Sequence, residues 1–114
     1  MENERYFHLV GTGPKPGNEE EYNAWYDEHV TMLFEFEGLK KVTRTRMYEP
    51  WGPNGDKSPH YVTIYEFERK GDFSDFCNSP IMEVANKHYE SQGKPVGEIY
   101  WAGAYESVIR LEKE

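Results

Sequence analysis

Residues 60–68, HYVTIYEFE, constrain this chain more than any other stretch. Alternation puts Tyr61, Thr63, Tyr65 and Phe67 on one face and Val62, Ile64 and Glu66 on the other. Both faces are largely apolar. A sheet built from such a strand needs cover on each side, because a bare face would expose a large apolar patch. Residues 5–11, RYFHLVG, read the same way, with Tyr6, His8 and Val10 opposed to Phe7 and Leu9. So do residues 98–111, where Ile99, Trp101 and Tyr105 oppose Tyr100, Ala102, Ala104 and Val108, and Gly103 marks a bulge or a close approach. Residues 39–49 form a further strand, with Val42, Arg44, Arg46 and Tyr48 on one face and Thr43, Thr45 and Met47 on the other. Its two arginines either anchor an anion or pair with the chain's own carboxylates.

The stretch Asn18–Gly38 has helical rather than strand periodicity. Met32, Trp25, Phe36, His29, Tyr22, Leu33, Tyr26 and Val30 fall within an arc of roughly 160° at 100° per residue. Phe34 is the misfit, pointing among polar residues. Asn18 with Glu21 resembles a capping box, Glu19–Glu21 suit the positive end of the helix dipole, and Gly38 is placed to end the helix. A second helical region divides in two. Gly71–Asn78 is expected to be capped by Asp72, and a piece capped by Ser79 with Pro80 at its first position runs to about Tyr89. The loop 50–59, PWGPNGDKSP, is long for a hairpin and carries Trp51, which makes it a candidate lid or interface arm.

The order strand–helix–strand–strand–helix–strand predicts an α+β, ferredoxin-like βαββαβ fold with a four-stranded antiparallel sheet and both helices on one face. The 114 residues suit one domain spanning 1–114. The second apolar sheet face is then best covered by another copy of the chain, so a homodimer is expected. A net charge of −8 argues against nucleic acid as a partner, and no apolar run is long enough to cross a membrane. The start MENERYFHLV lacks a basic region followed by a long apolar run, so no secretory leader is expected, and the single cysteine, Cys77, fits a reducing compartment; both point to the cytoplasm.

With that order in place, the run EYNAWYDEHV, preceded by PGNEE and followed by EGLKKVTRTRMYE, resembles the dimeric α/β-barrel superfamily, particularly its EthD-like branch. Tyr22, Trp25, Tyr26 and His29 match that branch's aromatic first helix; Gly38 matches the turn after that helix, and Arg44, Arg46 and Tyr48 match the strand rich in Arg and Tyr. Thr31 and Glu37 stand where the branch commonly has proline. The resemblance implies the dimeric barrel. It also implies relatives that include cofactor-independent monooxygenases, lactone isomerases, decarboxylases, polyketide cyclases and haem enzymes, in which the helix histidine commonly lines a cavity.

The chemistry turns on His29. On an apolar stripe it is either a satisfied core histidine or a neutral imidazole at a cavity, where it would act as an acid/base. Tyr22, Trp25, Tyr26, Tyr61 and Tyr65 are the candidate substrate-binding side chains. The expected ligand is small, flat and hydrophobic with a carbonyl or phenol, and the reaction to test is proton abstraction beside the carbonyl. His8, His29, His60 and His88 lack metal-ligand spacing, so no metal and no cofactor are expected. The alternatives to an enzyme are a non-catalytic ligand-binding or accessory protein and a purely structural dimer.

Overall fold

A computed structural model describes residues 4–113. The first three residues, part of the start read for a leader, and the last residue of the polar tail lie outside the described residues. The order of elements is as expected: β1 (Tyr6–Pro14), α1 (Glu19–Leu33), β2 (Leu39–Arg46), β3 (Tyr61–Phe67), α2 (Lys70–Cys77), α3 (Pro80–His88) and β4 (Gly97–Glu106). A single 3₁₀ turn, Gly55–Lys57, interrupts the long loop, and α3 runs directly into a π-helical turn, Tyr89–Gly93. The strands form one antiparallel sheet in the order β2-β3-β1-β4, the ferredoxin-like arrangement. Among the described residues no helix is long and apolar enough to cross a membrane.

Register decides what each face carries. His8 lies opposite Tyr65 and Ala104, Val10 opposite Thr63 and Ala102, and Arg44 opposite Thr63. Opposed residues share a face, so Tyr6, His8, Val10, Thr12 and the alternating set Tyr61, Thr63, Tyr65 and Phe67 look toward the helices. Tyr61, Thr63, Tyr65 and Phe67 are all buried there. The opposite face presents Phe7, Leu9, Val62, Ile64, Trp101 and Tyr105, and no helix covers it; Tyr105 remains 52% exposed.

Several local expectations are corrected. The helix ends at Leu33 and not at Gly38. From there the chain unwinds through three-residue turns, with Glu35 N–H donating to the Met32 carbonyl and Phe36 N–H to the Leu33 carbonyl. The unwinding leaves Phe34 at the surface and lets Phe36 pack edge-on against Phe76 at 5.3 Å. Asn18 makes no side-chain cap; α1 begins instead with the Tyr22 N–H donating to its carbonyl. In α2 the cap is Arg69, whose backbone N–H donates to the Asp72 carboxylate at 2.9 Å. Ser79 does cap α3, accepting from Met82 N–H at 3.1 Å. In β4 the bulge falls at Tyr100, between the pairs Gly11–Trp101 and Thr12–Ile99. The extra residue shifts the alternation, so Ile99 joins Ala102 on the helix side rather than Trp101 and Tyr105. Gly103 marks a close approach instead, since a Cβ there would stand 2.9 Å from the Tyr105 ring.

The buried apolar residues form two clusters. One gathers Val10, Leu33, Leu39, Tyr65, Phe67, Phe76 and Ala85 beneath α2 and α3. The other joins Tyr22, Trp25 and Tyr26 of α1 to Tyr61 of β3. The candidate site lies where these clusters meet.

Candidate functional site

A cavity of about 470 Å³ opens at this seam. Trp25, Tyr26 and His29 form its α1 wall, Val10 and Tyr65 its sheet wall, and Leu33, Phe76 and Met82 close one end. Asn86 of α3 and Tyr89 and Glu90 of the π-helical turn line it from the other side, with Ile99 and Ala102 of β4 at the edge. A π-helical turn is a costly irregularity that recurs at functional sites. Here it brings Gly93 so close to Trp25 that a Cβ on residue 93 would stand 2.4 Å from the indole Cζ2. The indole can lie flat against the turn only because residue 93 is glycine.

His29 stacks on Trp25, one turn earlier in α1, at 4.5 Å between ring centroids and 22° between planes. Tyr26 meets its ring edge-on at 5.7 Å. The His88 ring lies 6.3 Å away on the same stack, and its outer nitrogen stands 3.8 Å from the Glu28 carboxylate. Burial, and then the neighbouring His88, push His29 down to about 4, so at neutral pH the imidazole is uncharged. Nδ1 of His29 and Nε1 of Trp25 are buried without a hydrogen-bond partner. A core histidine would ordinarily have spent those nitrogens, because leaving one unpaired costs about 1–3 kcal/mol. Burial also raises the phenols of Tyr26 and Tyr65, which therefore stay protonated and able to donate.

The structure thus brings His29, Trp25, Tyr26 and Tyr65 to one cavity. It places Tyr22 and Tyr61 elsewhere, behind Tyr26. The Tyr22 hydroxyl is hydrogen-bonded to the Thr12 hydroxyl. The Tyr61 hydroxyl donates to Glu19 at 2.7 Å and accepts from Asn23 at 3.1 Å. Between these rings sits the Arg44 guanidinium, 5.5, 4.8 and 5.3 Å from the ring centroids of Tyr22, Tyr26 and Tyr61. Arg44 donates to Asp27 at 2.7 Å and to Asn23 at 3.1 Å, so this arginine pairs within the chain rather than waiting for an anion. Asp27 and Glu19 are accordingly engaged.

Sequence reasoning passed over four polar lining residues: His8, Asn86, Tyr89 and Glu90. His8 had a signal, since it alternates with Tyr6 and Val10 on the face that the helices cover. Tyr89 and Glu90 had none, because their placement depends on the π-helical turn. A larger hollow, about 690 Å³, lies between the β1–α1 loop and the loop before β3, but no buried, unpartnered polar atom points into it. Among the described residues no three His, Cys, Asp or Glu side chains gather in a way that could hold a metal ion.

No protein-family model matches the chain, and no curated protein matches it in sequence. Solved structures do match. A mutant of SnoaB, a cofactor-independent oxygenase from Streptomyces nogalater, superposes with a TM-score of 0.66 at 13% identity, over 99% of this chain and 100% of that one. An ethyl tert-butyl ether d (EthD) family protein from Bacillus halodurans gives 0.61 at 10% identity, over 88% and 96%. A dimeric protein of unknown function with a ferredoxin-like fold, from Bacteroides fragilis, gives 0.58 at 13%, over 90% and 94%. This likeness is one of fold and does not select the EthD-like branch over its relatives; the chain has the ferredoxin-like fold that these proteins share.

Proposed function

We propose that the cavity binds a small hydrophobic or aromatic compound bearing a carbonyl or phenol, and that His29 is its acid/base. The observation that carries this reading is the uncharged His29 imidazole in a wall of the cavity, with no hydrogen bond from the protein on its Nδ1. Trp25, Tyr26 and Tyr65 are the side chains that would contact the ligand, with Tyr22 and Tyr61 supporting Tyr26 from behind. The neutral imidazole takes a proton from carbon beside the carbonyl, the electron pair moves onto the carbonyl oxygen, and a protonated tyrosine hydroxyl stabilises the enolate. An imidazole held near 4 gives its proton back readily. It therefore suits a step in which the proton returns to the ligand, as in an isomerisation. A fold shared with a cofactor-independent oxygenase supports a site of this kind without a cofactor. The match of Tyr22, Trp25, Tyr26 and His29 to the EthD-like helix favours that branch.

Deuterium incorporation tests the reading. In D₂O the protein should speed exchange of the methyl hydrogens of 2-acetonaphthone by about 10²–10⁴-fold, the usual range for a positioned base. His29→Leu should return exchange to the uncatalysed rate. Exchange no faster than buffer in the presence of wild-type protein would overturn the acid/base assignment. The same depressed basicity favours a second reading, a non-catalytic binding or accessory protein, whose signature is saturable ligand binding without exchange.

The uncovered sheet face, with Phe7, Leu9, Val62, Ile64, Trp101 and Tyr105, supports a homodimer in which two sheets pack face to face. A monomer mass in solution at micromolar concentration would contradict it. The single, free cysteine, Cys77, supports placing the protein in the cytoplasm.

A further inference from the structure

The cavity that holds His29 contains a second imidazole. His8 enters it from β1, in the sheet, whereas His29 enters from α1 on the helix side. The His8 ring packs against Tyr65 at 5.4 Å and Phe73 at 4.9 Å between centroids. Its Nδ1, like that of His29, is buried without a partner. Burial lowers the basicity of His8 as well, and a backbone hydrogen bond to Gly103 opposes that lowering. Among the described residues no lysine or arginine lines the cavity, and the one lining side chain of fixed charge is Glu90, which stands 3.5 Å from Lys94. The whole chain carries −8.

We propose that His8 is a second polar anchor of this cavity, and that the ligand is an uncharged, flat molecule with one hydrogen-bonding group for each imidazole. The inference rests on the reading of the His29 cavity as a ligand site and adds to it the opposite anchor and the ligand's charge. A ligand with a single polar group serves only one of the two imidazoles. A ligand with a polar group at each end satisfies both, and its flat apolar middle lies among Trp25, Tyr26, Tyr65 and Phe76. A carboxylate gives up its hydration shell, meets no cation, and faces Glu90 and the field of a negative protein.

Three fluorescent probes separate these features: 6-hydroxy-2-acetonaphthone, 2-acetonaphthone and 6-hydroxy-2-naphthoate, titrated at neutral pH against wild type, His8→Phe and His8→Gln. The hydroxyketone should bind wild type about 5-fold more tightly than the plain ketone, the value of one added hydrogen bond. The naphthoate should bind about 10-fold more weakly than the hydroxyketone. His8→Phe should bring the hydroxyketone down to the affinity of the plain ketone for the same variant. His8→Gln, which keeps a hydrogen-bonding group, should restore part of the difference. Equal weakening of both ketones by His8→Phe would reduce His8 to a packing residue and overturn the proposal. So would equal binding of the two ketones to wild type, or tightest binding by the naphthoate; these comparisons need no variant to fold. Binding of 2-acetonaphthone that vanishes in His29→Leu but gains nothing from the added hydroxyl would overturn the second anchor alone. Binding by none of the probes would overturn the anchor and the His29 site together.

Discussion

Helix α1 supplies aromatic residues to two neighbouring places that differ in one respect. Toward β2 and β3, Tyr22 and Tyr26 close around Arg44 with Tyr61. The Tyr22 and Tyr61 hydroxyls and two of the guanidinium nitrogens are engaged by Thr12, Glu19, Asn23 and Asp27, while Arg44 Nε is buried without a partner. Toward α3 and β4, Trp25, Tyr26 and His29 border open space, and Trp25 Nε1 and His29 Nδ1 have no partner. The residue types are nearly the same, and so is their spacing along the helix. The degree of polar satisfaction separates them: five side-chain hydrogen bonds hold the first place and leave over Arg44 Nε, while none reaches Trp25 Nε1 or His29 Nδ1. A buried group whose hydrogen bonds are made is holding the fold together. A buried group left short beside a cavity costs stability and is explained by something that binds there.

Substitutions on the two sides should therefore fail in opposite ways. The largest stability effect is expected at Arg44, whose side chain is only 14% exposed. Arg44→Met keeps much of the packing but removes the cation from between three rings and frees Asn23 and Asp27. It should cost about 2–3 kcal/mol, read from the urea midpoint, while the cavity still binds an aromatic ketone. His29→Leu should do the reverse. It deletes no hydrogen bond, so stability at neutral pH should stay within about 1 kcal/mol of wild type while ligand turnover is lost.

The acid limb of stability sharpens the same contrast. His29 is pushed from an ordinary 6.5 to about 4 in the folded chain, so between those values the unfolded chain binds more protons. Stability must then fall as pH falls through this window, and the deficit is complete below about 4. From neutral pH to pH 5 the loss from this group is about 2 kcal/mol. His8, lowered in the same direction, adds to it. Urea midpoints at both pH values should show a smaller drop for His29→Leu than for wild type; an equal drop would mean that the imidazole is not desolvated.

A smaller effect belongs to the satisfied side. Tyr22→Phe leaves the Thr12 hydroxyl without its buried partner and should cost about 1–2 kcal/mol at every pH, with no change in ligand affinity. Smallest is His88→Gln. It removes the neighbouring imidazole whose electrostatic effect opposes protonation of His29, so the NMR titration midpoint of His29 should move upward. An unmoved midpoint would leave burial as the whole cause.

Much of this was legible in the sequence. Alternation in 60–68 identified the strand, its two apolar faces and the need for cover on each, and element order then implied the sheet. The stripe on α1 placed His29 among Trp25 and Tyr26 correctly, because i, i+3 and i+4 spacing is a local property. The features that escaped depend on contacts distant in the chain. Tyr22 and Tyr61 could not be separated from Trp25 and Tyr65 as lining residues, because the separation is made by Arg44, Glu19 and Asn23 meeting them across elements. Ile99 was assigned to the wrong face because a one-residue bulge at Tyr100 reverses the alternation on either side of it. Tyr89 and Glu90 reach the cavity through a π-helical turn that leaves no sequence pattern.

Everything proposed for the cavity depends on His29 presenting an uncharged, available nitrogen to a ligand. Ring ¹⁵N shifts of His29, followed at neutral pH as 2-acetonaphthone is added, test it directly. The expected result is a neutral imidazole before addition, a saturable shift at His29 as the ketone binds, and Tyr22 and Tyr61 signals that hardly move. A protonated ring before addition, or binding that moves Tyr22 and Tyr61 and leaves His29 unchanged, would contradict it.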